Sequence, residues 1–112
     1  KYFSKNNELF IKNVDTYLLY DFNLRNKIIE FNGDVYHGNP NLFKENDICI
    51  NYKNNPIIAK DVWNKDRIKI DLAISNGFDV LTIWESEYKK DKKLILERCL
   101  EFLKIDRKIY EN

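Results

Sequence analysis

The sequence predicts a small α/β domain with a mixed central sheet flanked by helices. Three observations carry this. Apolar, aromatic-rich runs at residues 16–24, 27–34 and 78–84 have strand character. A helical repeat beginning near Ala59 lies between the second and third of these runs, and another closes the chain. A helix between two strands can serve as a crossover that returns the later strand parallel to an earlier one.

Taken in order, residues 8–11 and 16–24 read as two strands around the polar turn Lys12-Asn13-Val14-Asp15. The second, rich in Tyr, Leu and Phe, is expected to be central. A polar connection at 23–26 leads into a third strand at 27–34. Its alternation sets Ile28, Glu30, Asn32 and Asp34 on one face, and Ile29 and Phe31 on the other. Residues 38–58 read as irregular, carrying Asn, Lys, Pro and Gly throughout. A loop of this length in a small domain is usually functional or mobile, and a solvated excursion without contacts fits equally well. Trp63, Asp66, Ile70, Ala73 and Ile74 recur at helical spacing, and Asn76-Gly77 supplies a stop. Residues 78–84 read as a buried strand. Residues 90–104 read as a last, structural helix packing through Leu94, Leu96, Leu100 and Leu103.

At 112 residues, 44% apolar and 14% aromatic, the chain is expected to form one domain with one modest core. Its 19 basic and 18 acidic residues leave a net charge of +1, so no global field draws it to nucleic acid. A polyanion-binding surface must come from local clusters or from a further domain. The sequence contains no Met, and residues 1–112 are read as a single domain excised from a longer chain, with the missing part on the N-terminal side. Cys49 and Cys99 form no C-x-x-C pattern, which argues against a zinc site and fits a reducing, cytoplasmic setting. No apolar run approaches the roughly 20 residues of a membrane span.

The chemistry concentrates in Ile28-Ile29-Glu30-Phe31-Asn32-Gly33-Asp34-Val35-Tyr36-His37-Gly38-Asn39-Pro40. A strand-like run carrying carboxylates breaks at glycine and delivers the only histidine of the chain. Asp21, between Tyr20 and Phe22, and Glu30, among Ile28, Ile29 and Phe31, are carboxylates costly to bury without a cationic partner. A solvated strand-end Asp21, and an ion pair from Glu30 to Lys27 or Lys69, are the alternative accounts. His37 can exchange a proton near neutral pH. Asp66, on the inner side of its helix if Trp63 and Ile70 face the core, can orient that imidazole or instead pair with Lys65 or Lys69. Carboxylates and an imidazole converging at strand ends suit metal-assisted phosphodiester hydrolysis. Lys53, Lys65, Arg67 and Lys69 are candidate phosphate contacts, which position a backbone without reading sequence.

These residues resemble a known group. The 28–40 segment is similar to the apolar strand, Gly and aromatic-His signature of the very-short-patch repair endonucleases and of homing endonucleases with an E-D-x-H-D pattern. Both belong to the PD-(D/E)xK-like nucleases. Trp63 through Asp66, Gly77-Phe78, and Val80-Leu81-Thr82-Ile83-Trp84-Glu85 resemble the second half of that signature, and the likeness covers residues 17–87. It implies a metal-dependent DNA endonuclease using Mg²⁺, with Mn²⁺ as a substitute, acting as a homodimer on DNA or with a separate DNA-targeting domain. Asp21 then matches the metal-binding aspartate, Glu30 with the Phe31 main chain the variable ligand, His37 the water-activating histidine and Asp66 the acid supporting it. Glu8 is the upstream acid available as the first glutamate. Tyr36 stands where the group carries Trp, and no counterpart of the repair enzymes' zinc cluster is present. Asn32 stands where a strict PD-(D/E)xK pattern carries Lys. These departures favour a homing-type or phage-encoded enzyme over a mismatch-nicking one. A non-cleaving nucleic-acid-binding module and an RNA-directed nuclease are the other readings.

Overall fold

The computed structural model describes residues 9–13 and 16–104. Glu8, and with it the expectation placed on it, lies outside them. Strands β1 (Leu9–Asn13) and β2 (Thr16–Tyr20) pair antiparallel, from Leu9↔Tyr20 to Asn13↔Thr16. A three-stranded mixed sheet follows, ordered β3 (Phe22–Leu24), β4 (Lys27–Asn32) and β7 (Asp79–Trp84). β3 runs antiparallel to β4, and β4 runs parallel to β7 from Lys27↔Asp79 to Asn32↔Trp84. The crossover contains a hairpin, β5 (Ile48–Tyr52) with β6 (Asn55–Ile58), and helix α1 (Ala59–Ser75). Helices α2 (Glu85–Lys90) and α3 (Lys92–Leu103) complete the described chain. None of the described helices is long and apolar enough to cross a membrane.

The predicted parallel return of the 78–84 strand is present, and α1 makes it. Alternation along β4 divides the core. Ile28 joins Tyr20, Ile11 and Ala73 beneath α1, whereas Ile29 joins Phe22, Ile83, Ile95, Cys99 and Leu103 beneath α3. The run at 16–24 is not one strand. The chain bends at Asp21, and Tyr20 and Phe22, two positions apart, consequently enter different core clusters. In an unbroken strand both would share one face.

The stretch read as irregular contains the β5–β6 hairpin. Ile48 pairs with Ile58 and Ile50 with Ile57, the register shifting at Cys49 between them, and the connection is the two-residue turn Lys53-Asn54, with φ of 50° and 62°. Two positive φ values are what a tight hairpin of primed type requires. Lys-Asn lacks the Asn-Gly signature by which such a turn is recognised.

The last helix is two helices. Asp91 adopts an extended φ of −153°, and its carboxylate accepts the Leu94 N–H at 3.0 Å, capping α3. The buried stripe of α3 is Ile95, Cys99, Leu100 and Leu103, while Leu94 points outward. On α1, Ala73 is buried as expected but Ile74 is exposed. The C-terminal stop is as read: Asn76 caps α1 and Gly77 takes φ +88°.

Candidate active site

Helix α1 runs back from the C-terminal ends of β4 and β7 toward their beginnings. Its inward stripe, Val62, Asp66, Lys69 and Ala73, follows a spacing of four, three and four residues. Ala73 is fully buried at the apolar end. Asp66 and Lys69 face the carboxyl half of the sheet, and each finds a partner there.

Lys69 Nζ meets Glu30 Oε2 of β4 at 2.7 Å, and it lies 4.9 Å from the centroid of the Tyr20 ring. The other Glu30 oxygen accepts the Asp21 N–H at 2.8 Å. Asp21 Oδ2 in turn accepts the Phe31 N–H at 2.8 Å. The bend that splits the expected long strand is thus closed by reciprocal side-chain to backbone bonds between β4 and Asp21. Tyr20 donates its hydroxyl proton to the Lys69 carbonyl. Glu30 is only 6% exposed, and burial raises its pKa even though Lys69 and the Asp21 amide act to lower it. Burial also raises the Tyr20 pKa, with the neighbouring Glu30 charge adding to it.

Three residues toward the helix N-terminus, Asp66 Oδ2 stands 2.8 Å from His37 Nδ1, both side chains being about a quarter exposed. Rise along a helix is about 1.5 Å per residue, so the two pairs are offset by about 4.5 Å along α1. No protein partner of His37 Nε2 occurs among the described residues. A carboxylate only accepts, so Nδ1 carries the proton and Nε2 of the neutral ring presents its lone pair.

The loop that carries His37 is firmly anchored. Its turn is closed by His37 N–H to the Gly33 carbonyl at 3.1 Å and Asn39 N–H to the Asp34 carbonyl at 2.8 Å. Asn39, fully buried, donates to Asp34 Oδ1 at 2.9 Å and accepts the Asn41 N–H. Ser86 at the start of α2 donates to the same Asp34 oxygen. Desolvation pushes the Asp34 pKa upward, but hydrogen bonds from Asn39 and Ser86 outweigh it and hold the carboxyl below its ordinary value. Trp63 Nε1 donates to the Gly38 carbonyl. Gly38 adopts φ +60°, and a Cβ there would come within 3.3 Å of Ala59 Cβ and 3.4 Å of Cys49 Sγ.

Among the sequence-nominated residues the structure therefore brings together Asp66 with His37, and Asp21 with Glu30 and the Phe31 backbone. Two expectations are corrected. Asp21 is not held inside an apolar strand; it is an exposed residue at a bend. Lys69 is turned inward to Glu30 and is not a free surface cation. Lys65 and Arg67 are exposed on α1. Lys53 is exposed at the hairpin tip, its Nζ 5.2 Å from the Tyr52 ring centroid. The sequence had no lysine at position 32 of β4; Lys69 brings an ammonium to the same strand from across the interface. The anchors Asn39, Asp34 and Ser86 were not legible as a cluster. Asn39-Pro40, next to a lone histidine, was the available signal.

The donor chemistry suits a hard cation only in part. Asp21 is exposed and offers carboxylate oxygen, the donor type that Mg²⁺ prefers. Glu30 has both oxygens engaged, by Lys69 and by the Asp21 amide. No cluster of three or more His, Cys, Asp or Glu side chains suited to a metal occurs among the described residues. Comparison with protein-family models gives no match, and neither do comparisons with curated proteins and with solved structures.

Proposed function

We propose that the protein is a metal-dependent endonuclease of PD-(D/E)xK-like architecture that hydrolyses DNA phosphodiester bonds, of homing or mobile-element type. The observation that supports this best is the His37–Asp66 pair beyond the end of β4, 2.8 Å apart, set one helical turn from the Glu30–Lys69 pair. The resemblance of residues 17–87 to the nuclease signature points the same way.

In this reading Asp66 holds His37 in the tautomer whose Nε2 lone pair faces the substrate. A water bonded to Nε2 passes its proton to the ring as its oxygen attacks phosphorus, and a second water protonates the leaving oxygen. Asp21, with the Phe31 main chain, would hold Mg²⁺ or Mn²⁺. Glu30 joins them only by giving up one of its present partners. The cation would offset charge on the phosphoryl oxygens. Lys69 keeps the buried Glu30 charge compensated, and Lys65, Arg67 and Lys53 contact phosphates.

The test is nicking of supercoiled plasmid with Mg²⁺ or Mn²⁺ by wild type, His37→Ala and Asp21→Asn, with single-stranded RNA as a parallel substrate. Metal-dependent nicking lost in both variants supports the assignment. Equal activity in all three overturns it. Preferential cutting of RNA keeps the chemistry and changes the substrate. Tight binding of DNA without cutting, and without Mn²⁺ uptake at Asp21, would identify a binding module.

A further inference from the structure

Both tryptophans of the chain line one cleft. It lies between α1 and the carboxyl ends of β4 and β7, and its volume is about 380 Å³. That falls in the range of roughly 300–1,000 Å³ usual for small-molecule sites, in which apolar and aromatic walls carry a few polar groups. Here the aromatic walls are Trp63 and Trp84, and the polar groups include Asn32 and Thr82, diagonal neighbours on one face of the β4–β7 sheet, where Asn32 lies opposite Trp84 and Thr82 opposite Glu30. Asp66 and Arg67 also line it.

Asn32 gives the cleft its chemical character. It is only 9% exposed, and its side-chain amide makes no hydrogen bond among the described residues. No sealed side-chain nitrogen or oxygen is left without a partner among those residues, so the Asn32 amide opens onto the cleft. A buried amide without a protein partner is costly unless a ligand or water completes it.

We propose that this cleft takes one unstacked nucleobase of the nucleic-acid substrate, an inference that rests on the nuclease reading above. A base is a flat ring with donors and acceptors on its edge. Indole faces stack on such a ring with little regard to sequence. The Asn32 amide offers one donor and one acceptor to the edge, and the Thr82 hydroxyl offers either. Arg67, exposed on α1, is placed for the phosphate attached to that nucleoside. Asp66 belongs to both places, because one of its oxygens holds His37 while the residue lines the cleft. A base seated between the tryptophans therefore sets its own phosphodiester beside the imidazole. A base must leave the helical stack to enter, so single-stranded, mismatched or end-frayed DNA is the favoured substrate over intact duplex.

The two tryptophans make the test direct, since both line this cleft and their fluorescence responds to a base stacked between them. The full chain is titrated with a short single-stranded oligodeoxynucleotide and with an abasic oligomer of equal length. The expected result is saturable quenching by the base-bearing strand, with affinity about tenfold or more weaker for the abasic strand and for Asn32→Ala. Should Asn32→Ala fail to fold, Thr82→Val carries the comparison, with a smaller loss expected. Equal binding of both strands, or binding untouched by the substitutions, overturns the base cleft. Metal-dependent nicking measured on the same preparations separates the two readings. Nicking without base-dependent quenching leaves the nuclease standing and removes the cleft. Base-dependent quenching without nicking leaves the cleft and removes the cutting function.

Discussion

Asp66 Oδ2 lies 2.8 Å from His37 Nδ1, across 29 residues of sequence. The pair joins the helix of the crossover to the turn that follows β4. Asp66→Asn keeps the shape but offers an amide whose NH₂ would face Nδ1. The other tautomer of His37 is then favoured, with its lone pair toward the helix. Metal-dependent nicking should fall by about 10²–10⁴-fold, as for His37→Ala, with the two substitutions together no worse than either. Plasmid nicking rates on folded variants check this. Independent, multiplicative losses would mean that the two residues do not act as a unit.

Glu30 and Lys69 form the most enclosed ion pair of the described residues, and the pair sets a pH dependence. Burial raises the Glu30 pKa in the folded state, so the fold binds this proton more tightly than the unfolded chain does. Its contribution is fully present below the unfolded carboxylate value and is lost as pH rises through the raised folded value. Glu30→Gln should therefore flatten the stability profile across that window. Lys69→Met leaves Glu30 with no cation and should cost about 3 kcal/mol at neutral pH. It should cost less in mild acid, where Glu30 takes up a proton. Urea denaturation at both pH values reads the difference.

Asn39 is buried with both ends of its amide engaged. Asn39→Ala should destabilise by about 1–3 kcal/mol. It should also weaken the acid sensitivity contributed by Asp34, whose depressed pKa gives stability that is lost as pH falls through the folded value. Because this network anchors the His37 turn, nicking should drop further than the folded fraction does. A drop that tracks folding alone would show that the turn is held by its other ties.

Gly38 and Gly77 both adopt positive φ but differ in their surroundings. Gly77→Ala meets nothing within 4 Å and should cost about 1 kcal/mol for the backbone alone. Gly38→Ala adds a tight contact with Ala59, which must yield by a few tenths of an ångström, and should cost about 2–3 kcal/mol. Thermal unfolding of the two variants separates strain from packing. Equal losses would mean that the neighbours of Gly38 yield.

The sequence by itself determined the parts whose signal is local. Alternation in Lys27–Asn32 set opposite faces for Ile28 and Ile29, and the apolar run before Trp84 set the parallel strand β7. Helical spacing from Ala59 to Asn76-Gly77 set the crossover helix. It nominated Asp21, Glu30, His37 and Asp66, because charge within an apolar run and a lone imidazole after a glycine break are visible in one dimension. Only the tertiary structure decided their partners. Lys69 and Lys27 were equal candidates for Glu30 until the packing of α1 chose the first, while Lys27 turned to Asp79. The bend at Asp21 depends on an amide of β4, ten residues away. The hairpin turn at Lys53-Asn54 depends on strand pairing that forces positive φ on Lys53, which has little preference for it, beside Asn54, which takes it more readily. The cleft between Trp63 and Trp84 exists only where a helix and a strand end meet. Each of these is settled by the burial of one surface against another, and that free energy belongs to pairs of elements distant in the chain, where no local pattern records it.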